Sequence, residues 1–267
     1  MTTTISGYAP AVPSASSSFA QRPGDRREPA RPPRSAFSPL RVLPLPGVFQ
    51  PRSDTWMLID AVRRQPLPAG ARVLDLCTGS GAVAVAAARR GASVTAVDVS
   101  RGALVSVRLN ALLNGVHVRV RRGDLFDAVR GERFDLIVAN PPYLPAEDDA
   151  LPARGRARAW DAGRDGRAVL DPLCGAAAAH LEPGGAILIV HSSVSDLDMT
   201  MRSLQATSLS VDVVAEHDGP LGPLLRERRD LLCDAGLLDA GADSERVAIV
   251  RGVRADEVTA VRAAAAR

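Results

Sequence analysis

The chain is 267 residues long, 46% hydrophobic and 24% charged, which is enough for one large core and unlike the composition of a disordered chain. Its three cysteines, Cys77, Cys174 and Cys233, are scattered and have no His/Cys cluster around them, so neither a disulfide framework nor a metal site is expected. All 33 basic residues are arginine, and the net charge of +3 comes from residues 1–38, whereas residues 39–267 carry as many acids as arginines. That neutral body lacks the broad positive field of a protein that neutralises many phosphates. No run approaches the roughly 20 apolar residues that span a bilayer, and residues 1–20 lack the charged start and apolar centre of a secretory signal. A cytoplasmic location is expected.

Residues 1–38 are rich in Ser, Pro, Ala and Arg without helical or strand periodicity, and are expected to be a disordered tail. A transit peptide is the rival reading, but the first 20 residues contain no arginine. Residues 39–253 form the expected domain and 254–267 a short C-terminal tail, ending in AVRAAAAR.

Within the domain, Ser53 or Asp54 is expected to cap a helix with Leu58, Ile59 and Val62 on its apolar face. Apolar runs predict strands at 72–76, 94–98, 116–120, 134–139, 186–191, 210–215 and 246–251. Helical patterns near 81–90, 101–113, 166–181, 196–206 and 222–236 separate most of them. Strands alternating with helices predict an α/β, Rossmann-like doubly wound sheet with ligands at the carboxyl ends of its strands. The apolar residues of 222–236 are expected to pack on the sheet.

The first such end reads VLDLCTGSGAVAVA, where Gly79, Gly81 and Ala84 make a G-x-G-x-x-A turn whose glycines admit a ligand close to the backbone. Alone it also suits a nicotinamide site or a plain tight turn. Asp98 ends the second strand, where a carboxylate accepts both ribose hydroxyls of a nucleoside. Asp75, four residues before Gly79, favours a ligand with a cationic amino group over an anionic pyrophosphate, which points to S-adenosylmethionine. Asp124 follows the third strand and is placed to accept from the adenine amino group, with Leu125 packing on the ring.

At the end of the fourth strand stands Asn140-Pro141-Pro142-Tyr143. An amide or aryl amine nitrogen has a delocalised lone pair, so it reacts only when its N–H bonds are held and its π face is aimed. The Asn140 side-chain oxygen and the Pro141 carbonyl can accept those two protons, and Tyr143 supplies a flat wall. The prolines have fixed φ and no N–H to compete locally. Direct in-line methyl transfer is expected, with proximity and orientation supplying most of the acceleration.

Four stretches, FQPRSDT (49–55), VLDLCTGSG (73–81), NPPY (140–143) and AWDAGRDGR (159–167), resemble the class I S-adenosylmethionine methyltransferases. More narrowly they resemble the HemK-like protein glutamine-N5 methyltransferases, in the branch related to eukaryotic and archaeal release-factor methyltransferases. The resemblance implies a seven-stranded sheet whose last strand runs antiparallel between the fifth and sixth. It implies that Gln50, Thr55, Asp75 and Gly79 hold the methionine end of the cofactor, with Cys77, Thr78, Gly81, Val99 and Leu125 completing the cofactor set. Asp98 takes the ribose, Asp124 the adenine, and Asn140, Pro141, Pro142 and Tyr143 receive a glutamine of a release-factor-like protein. It also implies a small zinc-binding activator subunit on the edge strand, here 116–120, with His117 and Arg119 on one face and Val116, Val118 and Val120 on the other. Charges on an edge more often block pairing than invite it.

An N6-adenine methyltransferase on RNA or DNA is the nearest rival, because the same two acceptors suit an aryl amine; no surface for base flipping is evident. A cofactor-binding scaffold without catalysis is the rival of another class, and the presence of Asp75, Asp98 and Asn140 together argues against it. Arg154, Arg156 and Arg158, just past the acceptor motif, are the first candidates for substrate contacts; the wider arginine clusters read as solvated faces.

Overall fold

The computed structural model describes residues 39–43, 45–153 and 155–256, apart from the side chain of Arg156. The expected N-terminal tail, Arg154 and residues 257–267 of the expected C-terminal tail lie outside the described residues.

Seven strands, β1 (Arg72–Leu76), β2 (Ser93–Asp98), β3 (Val118–Arg122), β4 (Phe134–Ala139), β5 (Leu181–Ser192), β6 (Leu209–Pro220) and β7 (Ser244–Arg254), form one sheet in the order β3-β2-β1-β4-β5-β7-β6. The pairs from β3 to β5 are parallel, and β7 is antiparallel to both β5 and β6, as the resemblance implied. Helices α1 (Ser53–Arg64), α2 (Ala82–Ala88) and α3 (Arg101–Leu113) cover one face, while α4 (Leu170–Ala177) and α5 (Leu197–Ala206) cover the other.

The central strands are mostly apolar because both of their faces are buried. Val73, Leu136, Val138, Leu188 and Val190 pack toward α1–α3; Leu74, Ile137, Ile187 and Ile189 pack toward α4 and α5. Each side chain so buried contributes about 1.5–3 kcal/mol relative to exposure. Chain order reverses direction across the sheet between β1 and β4, which opens a crevice at their carboxyl ends.

Several expected elements shift: β5, β6 and β7 extend beyond the expected 186–191, 210–215 and 246–251, and three others change as well. The edge strand begins at Val118 rather than 116, because Val116 N–H bonds to Ala111 O and Gly115 N–H (φ +64°) to Leu112 O, closing α3 with a Schellman turn. Arg119 and Arg121, not His117 and Arg119, are the strand's charged pair, and both reach Glu132, at 3.7 and 2.9 Å. The helix expected over 166–181 is shorter, since Gly166 (φ +72°) and an Asp165 turn onto Arg167 N–H occupy its start. The helix expected over 222–236 is two, α6 (Pro223–Glu227) and α7 (Arg229–Asp234), broken at Arg228.

Among the described residues no helix is long and apolar enough to cross a membrane.

His191, near the end of β5, is fully buried, and among the described residues neither ring nitrogen has a well-aligned hydrogen-bond partner. Burial, and then the neighbouring Arg167 guanidinium, push it down to about 4, so the folded state keeps the ring neutral. The unfolded chain binds a proton near pH 6.5 and the folded chain only near pH 4, so stability falls as pH drops through that window. Buried Asp75, raised to about 7 chiefly by burial, acts oppositely, losing stability as pH rises from 3.8 toward 7. A comparison of wild type with His191→Leu isolates the first effect: wild type should lose on the order of 3 kcal/mol relative to the variant between pH 6.5 and pH 4. Urea unfolding at intervals across that range measures it, and a pH-independent difference would show that the ring is not held neutral.

Candidate active site

The crevice is a cavity of about 1190 Å³. That exceeds the roughly 300–1,000 Å³ usual for a small-molecule site, so it has room for more than one ligand. One half lies over the glycine turn and the ends of β2 and β3. The other lies over the end of β4 and the segment after it.

In the first half the backbone turns at Cys77 (φ +55°), Gly79 (φ +52°) and Gly81 (φ +80°). Asp75 is 1% exposed and lies beneath this turn, its Oδ2 accepting from Thr78 Oγ1 at 2.6 Å and from Ala84 N–H at 3.0 Å. It is not among the cavity's lining residues, and neither are Thr78 and Gly81. Gly81 answers a packing need: a Cβ there would meet Val107 Cγ2 at 2.9 Å and Val107 Cα at 3.0 Å, so the glycine lets α3 close against the turn. Burial pushes the Cys77 thiol well up, so it faces the cavity as a neutral thiol.

Asp98 does line the cavity. Its Oδ2 accepts from Gly79 N–H at 3.0 Å and its Oδ1 from Ser100 N–H at 2.8 Å, which locks the carboxylate to the turn with lone pairs still open to the cavity. Burial raises its pKa while the two N–H bonds and Arg158 pull it back. Val99, Asp124 and Leu125 complete this wall, with Arg158 facing Asp98 across it. Arg158, the one candidate arginine past the acceptor motif whose side chain is described, stands on the Asp98 side of the cavity, anchored by a 2.6 Å bond to Pro152 O.

The second half is built around Asn140. Its Nδ2 donates to Asp54 Oδ2 at 3.1 Å and to Thr55 Oγ1 at 3.2 Å, both in the first turn of α1. Reversing the amide would set its oxygen against a carboxylate, so the orientation is fixed chemically. Both N–H bonds are spent on the protein, and Oδ1 is left for a donor entering the cavity. Tyr143 OH donates to the same Asp54 Oδ2 at 3.3 Å, and burial beside that carboxylate raises the phenol well above its usual range. Pro141, Pro142 and Tyr143 all line the cavity.

Asp54 is the site residue that sequence reasoning missed. The helix begins with Arg52 as its N-cap, so Asp54 is neither the cap nor exposed; it is 7% exposed and serves Asn140 and Tyr143 across 86 and 89 residues of chain. The only sequence signal was an acid in the first turn of a helix that precedes the glycine turn. Thr55, expected at the cofactor's methionine end, instead touches Asn140, and Gln50 is exposed and outside the cavity lining.

The AWDAGRDGR segment is explained by what it holds. Leu144 N–H bonds to Trp160 O at 2.8 Å and Ala162 N–H to Leu144 O at 3.0 Å, a short ladder immediately after Tyr143. Gly166 has no room for a Cβ, which would fall 2.4 Å from Tyr143 O and 2.6 Å from Ser195 Oγ. Arg167 is 2% exposed and donates to Ser195 O, Asp196 O and Thr200 Oγ1 while pairing with Asp171 at 2.7 Å. Ser195 Oγ in turn bonds to Tyr143 O.

The methyltransferase small domain family matches residues 39–153. The release factor glutamine methyltransferase of Mycolicibacterium smegmatis is 38% identical over 192 residues, which are 69% of this chain and 68% of that protein. A putative protein N5-glutamine methyltransferase of Methanocaldococcus jannaschii is 31% identical over 185 residues, 67% of this chain and 90% of that protein. Among solved structures, the E. cuniculi Mtq2–Trm112 complex, responsible for methylation of the eRF1 translation termination factor, aligns with a TM-score of 0.54 at 22% identity over 78% of this chain and 99% of that one, a likeness of fold. Sheet order, acceptor motif and this degree of identity together place the chain in the HemK-like protein glutamine methyltransferase family, as a methyltransferase.

Proposed function

We propose that this protein is an S-adenosylmethionine-dependent enzyme that methylates the N5 nitrogen of a glutamine side chain in a protein, a translation release factor being the first substrate to test. The observation that carries this reading is the commitment of both Asn140 N–H bonds to Asp54 and Thr55. An asparagine so held offers the cavity only an acceptor, which is what a primary amide with two N–H bonds requires.

The residues present fit the donor. Asp98, fixed to the turn by Gly79 and Ser100, accepts the ribose hydroxyls; Asp124 accepts from the adenine amino group and Leu125 packs on the ring; Gly79 admits the methionine end close to the backbone. Asp75 acts one layer down, shaping the turn through Thr78 and Ala84. When bound, the donor supplies an electrophilic methyl group on sulfonium.

The rest of the work belongs to the acceptor side. Asn140 Oδ1 and the Pro141 carbonyl hold the two amide protons of the substrate glutamine, turning the π face of its nitrogen toward the methyl group; once the nitrogen has taken the methyl from sulfur, one of those two protons leaves to solvent. Tyr143, kept a neutral phenol by burial beside Asp54, walls that plane. Because these groups are fixed before substrate arrives, little reorganisation is needed in the reaction itself.

The partner reading rests on the open edge. Among the described residues β3 pairs only with β2, and its Arg119 and Arg121 are drawn toward Glu132 rather than standing free. On neighbouring α3, Val105, Leu109 and Leu112 are exposed. We assign this corner to a small zinc-binding activator added by strand pairing, and the enzyme to the cytoplasm, where release factors act.

Asn140→Ala should lower kcat at least 100-fold and leave the donor's Kd within about threefold, measured by single-turnover transfer of labelled methyl to release factor and by calorimetry. Equal turnover would overturn the assignment. Asp54→Ala should lower kcat by roughly 10–100-fold, because the Asn140 amide loses the acceptor that orients it. Asp98→Ala should instead weaken donor binding by at least tenfold while saturating donor restores much of kcat. Mapping the labelled atom, with total RNA and DNA as parallel acceptors, separates glutamine from adenine.

A further inference from the structure

The insertion between β6 and β7 does not pack where its sequence pattern suggested. Leu221, Leu225 and Leu232 join Leu144 and Val194 in a third apolar cluster, separate from the two that cover the sheet, and Tyr143, Trp160 and Leu224 pack against it. The insertion is therefore built onto the acceptor loop itself.

Arg228, where α6 meets α7, fastens the two together. Its Nη1 donates to Pro145 O at 2.8 Å and its Nη2 lies 2.7 Å from Asp161 Oδ1, with both side chains largely buried. The Asp161 contact is a close ion pair rather than an aligned hydrogen bond. With these charges spent on each other, the wall beyond Tyr143 presents Trp160, Pro223, Leu224 and Val247 to the cavity.

One carboxylate remains on that wall. Glu245, at the start of β7, lines the cavity and takes one neutral donor on each oxygen: Ser192 Oγ at 2.8 Å and Gly222 N–H at 3.2 Å. Among the described residues it has no cation within ion-pairing distance. A partly buried carboxylate held by two neutral donors keeps lone pairs directed at whatever enters.

We infer that the α6–α7 insertion is the surface that reads the polypeptide on either side of the target glutamine, gripping an extended, uncharged segment. An apolar side chain of that segment lies between Leu224 and Trp160, and a backbone N–H of it donates to Glu245. This rests on the proposed acceptor role of Asn140 and deepens it. Three observations carry it: the insertion is continuous with the acceptor site, the cavity of about 1190 Å³ exceeds a usual small-molecule site, and the insertion's side of it presents Trp160, Pro223, Leu224 and Val247 beside the Glu245 carboxylate. An acidic segment is repelled by Glu245, and a segment folded as a helix has free N–H groups to give it only in its first turn.

The test uses full-length release factor and a minimal capped glutamine amide as parallel acceptors. Leu224→Asp and Glu245→Gln are measured in the full chain; Leu224 is partly exposed and glutamine keeps an oxygen for Gly222 N–H, and donor Kd reports whether each variant is folded. Each variant should raise KM for release factor about tenfold, with kcat at saturation and donor Kd unchanged and with turnover of the capped amide unaffected. Unchanged KM for release factor, in variants that bind donor normally, overturns the inference while leaving the acceptor chemistry standing. Equal losses on both acceptors also overturn it, since the insertion would then act on the amide site and not on flanking chain. If wild type methylates no glutamine in release factor or in the capped amide, the proposed function falls, and this inference with it.

Discussion

The structure of the acceptor site depends on one bond, from Asn140 Nδ2 to Asp54 Oδ2. It joins the end of β4 to the first turn of α1 and decides which atom of the amide faces the cavity. Asp54 takes part at three points, receiving Asn140, Tyr143 and its own neighbour Thr55, whose N–H lies 2.6 Å from Oδ1. A carboxylate is the right group for this because it has no proton to donate and so cannot be satisfied by the oxygen of a reversed asparagine. Charge-assisted bonds of this kind are roughly twice as strong as neutral ones, which suits a group that must hold its orientation against an incoming substrate.

The donor half follows the same logic with different atoms. Asp75 and Asp98 read alike in the sequence, both acids at strand ends, yet one is spent on organising the turn and the other faces the cavity. Burial separates them: Asp75 has its partners in Thr78 and Ala84 beneath the surface, while Asp98 reaches the turn from the neighbouring strand with its outer edge open. The turn is thus clamped from below and from the side, and only backbone and the Cys77 thiol present themselves above.

Much of the fold was legible because the sheet obeys local rules. Runs such as LIVA (136–139) and AILIV (186–190) are apolar at every position since α1–α3 and α4–α5 cover both faces, and the turns between them carry their own glycines. Where the reading slipped, a local competitor had taken the residues: Val116 belongs to the Schellman turn that ends α3, and Gly166 and Arg167 belong to the acceptor loop instead of α4. The acceptor motif was legible as NPPY, but its support was not, because Asp54 and Ser195 reach it from 86 and 52 residues away, and Arg228 reaches Pro145, just beyond it, from 83. Periodicity records which face of an element is buried, and it does not record which side chain that face will meet.

The same distances explain why the segment after NPPY is so particular in its residues. Tyr143 and the residues just beyond it are held from four directions: by Asp54 on α1, by the Trp160–Ala162 ladder, by Ser195 after β5 and by Arg228 from the insertion. Each attachment removes freedom from a loop that would otherwise sample many conformations at about 1–2 kcal/mol per residue of backbone entropy. A loop fixed from a single side could still hinge about that side; one fixed from four can only translate with the whole domain. The precision needed to aim a weakly nucleophilic nitrogen is therefore a property of the folded domain, set before any substrate or donor arrives.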